Sequence, residues 1–330
     1  MRRRMHRCWQ VAILMSVAVT QAVVAQAAAA APAVAQAPPP CCPKDATTDK
    51  EAVLWHKLEG EIREIDAHLD GVMGVAIEDL STGHTLFLNP DEILPQASSI
   101  KIAVLAELYR QHQEGKLKLD DPYTVNAADL VPDSNVMGGL TPGVTRVTNR
   151  DLATMVVAVS DNSATNVLID RLGMKNVNAF LESLGLHQTR LRRKMMDLQA
   201  AAEGRENVAT PREMMTLLDV LFHNKVLNRS LTDDFFKILA TPKDSWIPRL
   251  LPEGLKIANK PGSLEGVRND SGVIFGRRPY ILCVMTTYLR NERDGEEAIA
   301  QISRVAYRMF DRLGRASALG RVISPANSSN

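Results

Sequence analysis

The 330-residue sequence predicts an α+β fold: one antiparallel sheet flanked by helices from the two ends of the chain, with an all-α insertion between. Three observations point there. Strand-like segments gather near both ends of the chain, and helix-like segments lie between them. The strands are joined by turns as short as Ser81-Thr82-Gly83 and Gly276-Arg277-Arg278, which suit antiparallel neighbours. A hydrophobic content of 45% is ample for a large core.

Residues 1–27 stand apart. Arg2, Arg3, Arg4 and Arg7 precede an apolar run, Val11 to Ala25, that closes on Ala25-Gln26-Ala27. This reads as a secretory signal peptide, too short for a comfortable membrane span. The mature protein is therefore expected to be periplasmic or secreted, with no stable membrane insertion. Without those residues the chain carries 35 basic against 38 acidic residues, a formal charge of −3. With no basic block and only 5% aromatics, nothing suggests a nucleic-acid partner. The four cysteines, Cys8, Cys41, Cys42 and Cys283, are too few and too scattered for a disulfide framework.

Residues 28–47 are rich in Ala and Pro and read as a tether. Thr48 and Glu51 form a capping box for a helix with Leu54, Leu58, Ile62 and Ile65 on one face, which Gly71 is expected to end. Val72–Leu80 and Thr85–Leu88 follow as strands. A buried helix carries Ile100, Ile102, Val104, Leu105 and Leu108. Residues 114–147 are loop-rich. Thr148 and Asp151 then open a helix expected to end at Ser160-Asp161-Asn162, with shorter helices over 164–172 and 177–184. Residues 187–209 lack periodicity and read as a long surface loop, and Thr210-Pro211 starts another helix. Strands are predicted over 256–260, 271–275 and 280–288, and Asp294 and Glu297 start a last helix. The boundaries are thus 48–317 for the folded domain, with 48–97 and 240–317 its sheet-bearing part and 98–239 its helical part. A polar tail covers 318–330, and a monomer is expected.

Chemistry concentrates in three short patterns. Ser98 and Lys101 stand three apart at a helix start, a spacing that places a hydroxyl and an amine on one face. Serine becomes a nucleophile when a neighbouring base takes its proton, and a lysine stripped of its own proton by burial can be that base. Ser160-Asp161-Asn162 follows 62 residues later, and Lys260-Pro261-Gly262 ends a strand 100 residues after that. In this order the set resembles the S-x-x-K, S-D-N and K-T-G motifs of class A β-lactamases and penicillin-binding proteins. The likeness spans about residues 55–315 and is closest around Ser160-Asp161-Asn162-Ser163-Ala164-Thr165-Asn166.

The resemblance implies roles. Ser98 would be acylated and Lys101 would accept its proton. Ser160 would pass a proton to the leaving nitrogen, with Lys260 holding Ser160 and attracting a substrate carboxylate. Asn162 and Gly262 would contact substrate. The backbone N–H groups of Ser98 and Ser263 would form the oxyanion hole, each worth on the order of 3–4 kcal/mol. No cofactor or metal is implied, and the histidines show no ligand spacing.

Two departures from the family pattern matter. Pro261 stands where the family has a hydroxyl that binds the substrate carboxylate; Ser263 and Arg268 are nearby substitutes. Efficient class A β-lactamases also carry a Glu that activates the deacylating water. Here the matching loop runs Arg192-Arg193-Lys194-Met195-Met196-Asp197-Leu198-Gln199, and the Glu position holds Met195. Asp197 is the nearest carboxylate and the candidate base, with Glu203 and Glu206 as alternatives. The reading is a β-lactamase-like serine hydrolase acting on β-lactam amides, with slow or atypical deacylation. Its rivals are a penicillin-binding D-alanyl-peptidase-like or esterase-like hydrolase, and a non-enzymatic acyl-accepting binder or sensor.

Overall fold

The computed structural model describes residues 45–317 and 319–322. The expected signal peptide, most of the tether with Cys41 and Cys42, and most of the polar tail lie outside the described residues.

Helix α1 (Asp45–Ala67) leads into strands β1 (Val72–Asp79) and β2 (Thr85–Leu88). The helical region holds α2 (Lys101–Gln113), α3 (Asn149–Ala158), α4 (Asn162–Leu172), α5 (Met174–Ser183), α6 (Leu198–Ala202), α7 (Pro211–Phe222) and α8 (Arg229–Leu239). The chain then returns through β3 (Ile257–Leu264), β4 (Val267–Ile274) and β5 (Tyr280–Thr287) to α9 (Glu292–Arg315). The five strands form one sheet in the order β2-β1-β5-β4-β3, antiparallel throughout.

Period-two alternation divides the core into two layers. On the central strand β5, Tyr280, Leu282 and Val284 join Trp55, Leu58 and Ile62 of α1 and Ile299, Ile302 and Ala306 of α9. Ile281, Cys283 and Met285 face the other way, into a cluster with Leu105 and Leu108 of α2 and Met214 and Leu218 of α7. Every residue of β5 is buried, as a strand covered on both faces requires. Helix α2 is buried almost all round, which fits its apolar sequence and central place.

Several boundaries differ from the sequence reading. Helix α1 begins at Asp45, so Thr48 lies inside it rather than capping it and the helix reaches into the expected tether, and it ends at Ala67, well short of Gly71. Gly71 is needed for a close approach instead: a Cβ there would lie 2.9 Å from the Thr287 carbonyl and 3.0 Å from Leu289. Helix α8, capped by Asn228, has no counterpart in the sequence reading. The expected loop over 187–209 contains the short helix α6 and a two-residue ladder, Val208–Ala209 with Leu94–Pro95. The capping box of Thr148 and Asp151 and the Thr210 cap before Pro211 form as predicted.

One buried carboxylate ties the sheet to the loop beside it. Asp270 Oδ2 accepts from the Trp246 and Ile247 N–H groups at 3.0 Å each, and Asn259 Nδ2 donates to Asp270 Oδ1 at 2.8 Å. Removing the acceptor strands three buried donors, each costing about 1–3 kcal/mol. Asp270→Ala is therefore expected to lower unfolding stability by roughly 3 kcal/mol in urea titration, and an unchanged midpoint would show that the loop is held by other means.

Candidate active site

Ser98 lies in the 3₁₀ turn Ala97–Ile100 that runs into α2. Ala97 just before it has a left-handed backbone, φ 49°, a conformation that costs a non-glycine residue on the order of 1 kcal/mol and gathers at functional sites. Strand β3 passes directly behind this turn. A Cβ on Gly262 would sit 2.8 Å from the Gln96 carbonyl and 2.9 Å from the Ser99 nitrogen, so only glycine allows the approach. Ser99 Oγ donates to the Lys260 carbonyl at 3.1 Å and sews the two segments together.

Ser160-Asp161-Asn162 lies at the start of a helix rather than at the end of one. Helix α3 stops at Ala158, and Asp161 caps α4 by accepting from the Ala164 N–H at 2.9 Å. The motif is short and polar because it makes a cap, which is why it interrupts the helical periodicity. Asp161 Oδ2 also accepts from Val136 N and Met137 N at 3.0 and 2.9 Å. Its carboxylate thus fixes the loop that forms one wall of the site. Ser160 itself is left-handed, φ 56°.

That backbone turns both oxygens of Ser160 toward Lys101. Lys101 Nζ donates to the Ser160 carbonyl at 2.6 Å, to Ser160 Oγ at 3.0 Å and to Asn162 Oδ1 at 2.8 Å. Lys260 Nζ donates to the same Ser160 Oγ at 3.0 Å and to the Pro261 carbonyl at 2.9 Å. Spacing alone pairs Lys101 with Ser98, but in this structure its hydrogen bonds run to Ser160 and Asn162. Proton transfer from Ser98 therefore needs a bridging water or a small swing of Nζ; such contacts commonly tighten only when substrate binds.

Both amines are fully buried. Burial, helped by the positive charge of Lys260 and opposed by Asp161, holds the Lys101 pKa well below that of a free lysine. Burial and the nearby Lys243 pull Lys260 down to about 7, opposed by Asp270. A neutral Lys101 has a lone pair to offer a hydroxyl proton. Ser160 Oγ already receives two N–H donors, so its own proton is free to point into the cleft.

Ser98, Ser160, Asn162, Lys260 and Ser263 line one cleft of about 660 Å³. Asp133, Asn135, Lys243, Asp244 and Trp246 also line it. These come from irregular segments without periodicity, and no sequence pattern singles them out. Arg268 does not line the cleft: its Nε donates to Glu296 Oε1 at 3.1 Å, and its Nη1 to the Leu264 and Val267 carbonyls at 2.9 Å each.

Asp197 is not brought to the cleft either. It is exposed and caps α6, accepting from the Ala200 N–H at 3.0 Å. Glu203 pairs with Arg205, and Glu206 pairs with Arg193 at 2.9 Å, closing the neck of the loop. Met195 is buried, and Asn166 grips its peptide from both sides: Met195 N donates to Asn166 Oδ1 at 2.8 Å, and Asn166 Nδ2 donates to the Met195 carbonyl at 3.1 Å. Asn166 closes the Ser160–Asn166 stretch in sequence; its function as the loop's clamp becomes visible only in three dimensions. Among the described residues no group of three or more His, Cys, Asp or Glu side chains could hold a metal ion.

A serine at the foot of a buried helix, a second serine gripped by two buried lysines, and a strand edge across the cleft define an acyl-transferring serine hydrolase. Residues 57–310 match the family model described as the beta-lactamase enzyme family, and the chain belongs to that family. Beta-lactamase SME-1 of Serratia marcescens is 28% identical over 266 residues, covering 76% of this chain and 88% of that protein. A beta-lactamase structure from Sphaerobacter thermophilus superposes with a TM-score of 0.71 at 31% identity, covering 77% of this chain and 97% of that one. PBP-A superposes with a TM-score of 0.70 at 25% identity, over 77% and 96% of the two chains.

Lys260 carries its charge only below its pKa, so a reaction that uses this charge to hold an anionic substrate should slow as pH rises through about 7. In Lys260→Arg the charge persists at all accessible pH. The alkaline limb of kcat/KM for that variant should move up by about one unit or more. An unmoved limb would show that another group sets it.

Proposed function

We propose that this protein opens β-lactam amides through a Ser98 acyl-enzyme and releases the product slowly, acting outside the cytoplasm once residues 1–27 are removed. The observation that carries the reading is the convergence of Lys101 and Lys260 on Ser160 Oγ beside Ser98. In this scheme Lys101 takes the Ser98 proton as Oγ attacks the lactam carbonyl. The developing oxyanion is met by the N–H groups of Ser98 and Ser263. Ser160 gives its proton to the leaving nitrogen and regains one through the lysines. Asn162 orients the amide side chain. The relatives' names support β-lactams as substrate, and a mutant of PBP-A is described as an acyl-enzyme complex with penicillin G.

Slow release rests on the loop over 193–206. Its carboxylates cap α6 or pair with arginines, and Met195 offers no base. This favours a second reading, a penicillin-binding acyl acceptor whose adduct persists. The two readings share the acylation step and differ only in the lifetime of the adduct.

A penicillin should add covalently to the wild-type protein and not to Ser98→Ala, as read by intact mass; an adduct mapped to Ser99 or Ser160 would overturn the assignment. Turnover should show a burst of about one product per enzyme before a slow phase. Met195→Glu should speed that slow phase by about 10²-fold or more, within the usual range for a general base, while Met195→Gln should not. Equal rates for the two variants would mean that the position does not face the ester.

A further inference from the structure

One wall of the cleft is an irregular segment between α2 and α3, and it carries a carboxylate that the acylation scheme does not use. Asp133 lines the cleft, is exposed, and makes neither a side-chain hydrogen bond nor an ion pair among the described residues. The chain on either side of it is pinned to the start of α4. Val131 N donates to Ser163 Oγ at 2.8 Å, Ser163 N donates to Ser134 Oγ at 2.9 Å, and Asp161 holds the N–H groups of Val136 and Met137. Asp133 is thus an unpaired charge presented between fixed points. Its backbone is left-handed, φ 54°. Aspartate and asparagine are the non-glycine residues that adopt this conformation most readily, so a carboxylate can stand at this tip at little cost.

Its position decides which part of a substrate meets it. Asn162 Nδ2 lies 3.5 Å from the carbonyl of Pro132, the residue before Asp133. In the acylation scheme Asn162 orients the amide side chain, so Asp133 stands beside the acyl side chain rather than beside the bond that opens. Asp244 is the other carboxylate of the cleft lining. Its chain neighbour Lys243 lines the cleft as well and offsets its charge. Asp133 lies between Pro132 and Ser134, and neither supplies a cation.

We propose that Asp133 receives a cationic group on the acyl side chain, so that the cleft favours acyl donors with an ammonium next to the amide. The assignment rests on the β-lactam reading of the site and on the place given to Asn162. An unpaired carboxylate attracts an ammonium, but at an exposed position water weakens the attraction and salt screens it. The preference is therefore modest, about 3- to 10-fold, and belongs to binding rather than to the chemical step.

The test uses ampicillin and penicillin G, which differ by one α-amino group on the acyl side chain, at about pH 6, where that amine is protonated. Acylation of Ser98 is followed by stopped flow and intact mass at low salt. The measured quantity is the ratio of the two acylation efficiencies, ampicillin over penicillin G. Asp133→Asn suits the left-handed backbone and removes the charge, and it should lower the ratio about 3- to 10-fold through weaker ampicillin binding. Raising salt to about 0.5 M should lower the ratio for the wild-type protein and leave it unmoved in Asp133→Asn. Asp244→Asn is the control for the general field of the rim. A ratio unchanged in Asp133→Asn, or lowered equally in Asp244→Asn, overturns the assignment while leaving the β-lactam reading in place. If the wild-type protein forms no adduct with either compound, the β-lactam reading itself falls, and the assignment of Asp133 falls with it.

Discussion

The site depends on one hydroxyl accepting from two buried lysine amines. Lys101 comes from the central helix, Lys260 from the strand edge, and both meet at Ser160 Oγ. Burying two lysines this close would be costly if both stayed charged. The protein reduces the cost by lowering both pKa values and by surrounding Lys101 with three acceptors, one of them a carbonyl that only a left-handed Ser160 can present. Helix cap, strand register and turn strain all serve that meeting point. Displacing Gly262 or Asp161 would disturb it without touching either lysine.

The two halves of an acyl-transfer cycle are provided for unequally. The proposed acylation side is fully furnished: Ser98, Ser160 and Lys260 border one cleft, and Lys101 reaches it from behind through Ser160 and Asn162. At Met195, where the sequence comparison expects a water-activating Glu, stands a buried thioether whose peptide is clamped in place by Asn166. The loop is thus held at two points, by that clamp and by the Arg193–Glu206 pair, with a thioether between them. A membership that favours hydrolysis and a loop that favours retention coexist in one chain.

Much of this is legible in the sequence because the signals are local. Ser98, Lys101 and Ser160 stand in short patterns at element ends, whereas Lys260 lies within β3, which runs on to Leu264 past the end expected at Lys260-Pro261-Gly262; the antiparallel sheet follows from turns too short for crossovers. The features that escape depend on contacts between distant segments. The carboxylate of Asp197 looks available two positions from Met195, yet an open N–H at the start of α6 claims it. Arg268 looks free beside Pro261, yet Glu296 on the last helix holds it. Lys243 carries no signal at all, since a lone lysine in an irregular loop resembles any solvated charge. Helix α8 goes unread, and the Ser160 motif is assigned to the wrong end of a helix, because a cap and a terminus share the same polar residues.

The strand order has a consequence for how the chain is made. Strand β1 pairs with β5 along its whole length, from Val72 opposite Thr287 to Asp79 opposite Tyr280. At ordinary synthesis rates, β5 follows β1 from the ribosome after roughly 10–40 s. Through that interval the first hairpin has α1 to cover one face but an open edge where β5 will pair. Local helices in the middle region are free to form, but the sheet that supports Lys260 closes last. Maturation of the site is thus a late, long-range event, and a nascent chain that stalls before residue 280 holds Ser98, Lys101 and the hairpin bearing Lys260 without β5, the strand that joins that hairpin to β1.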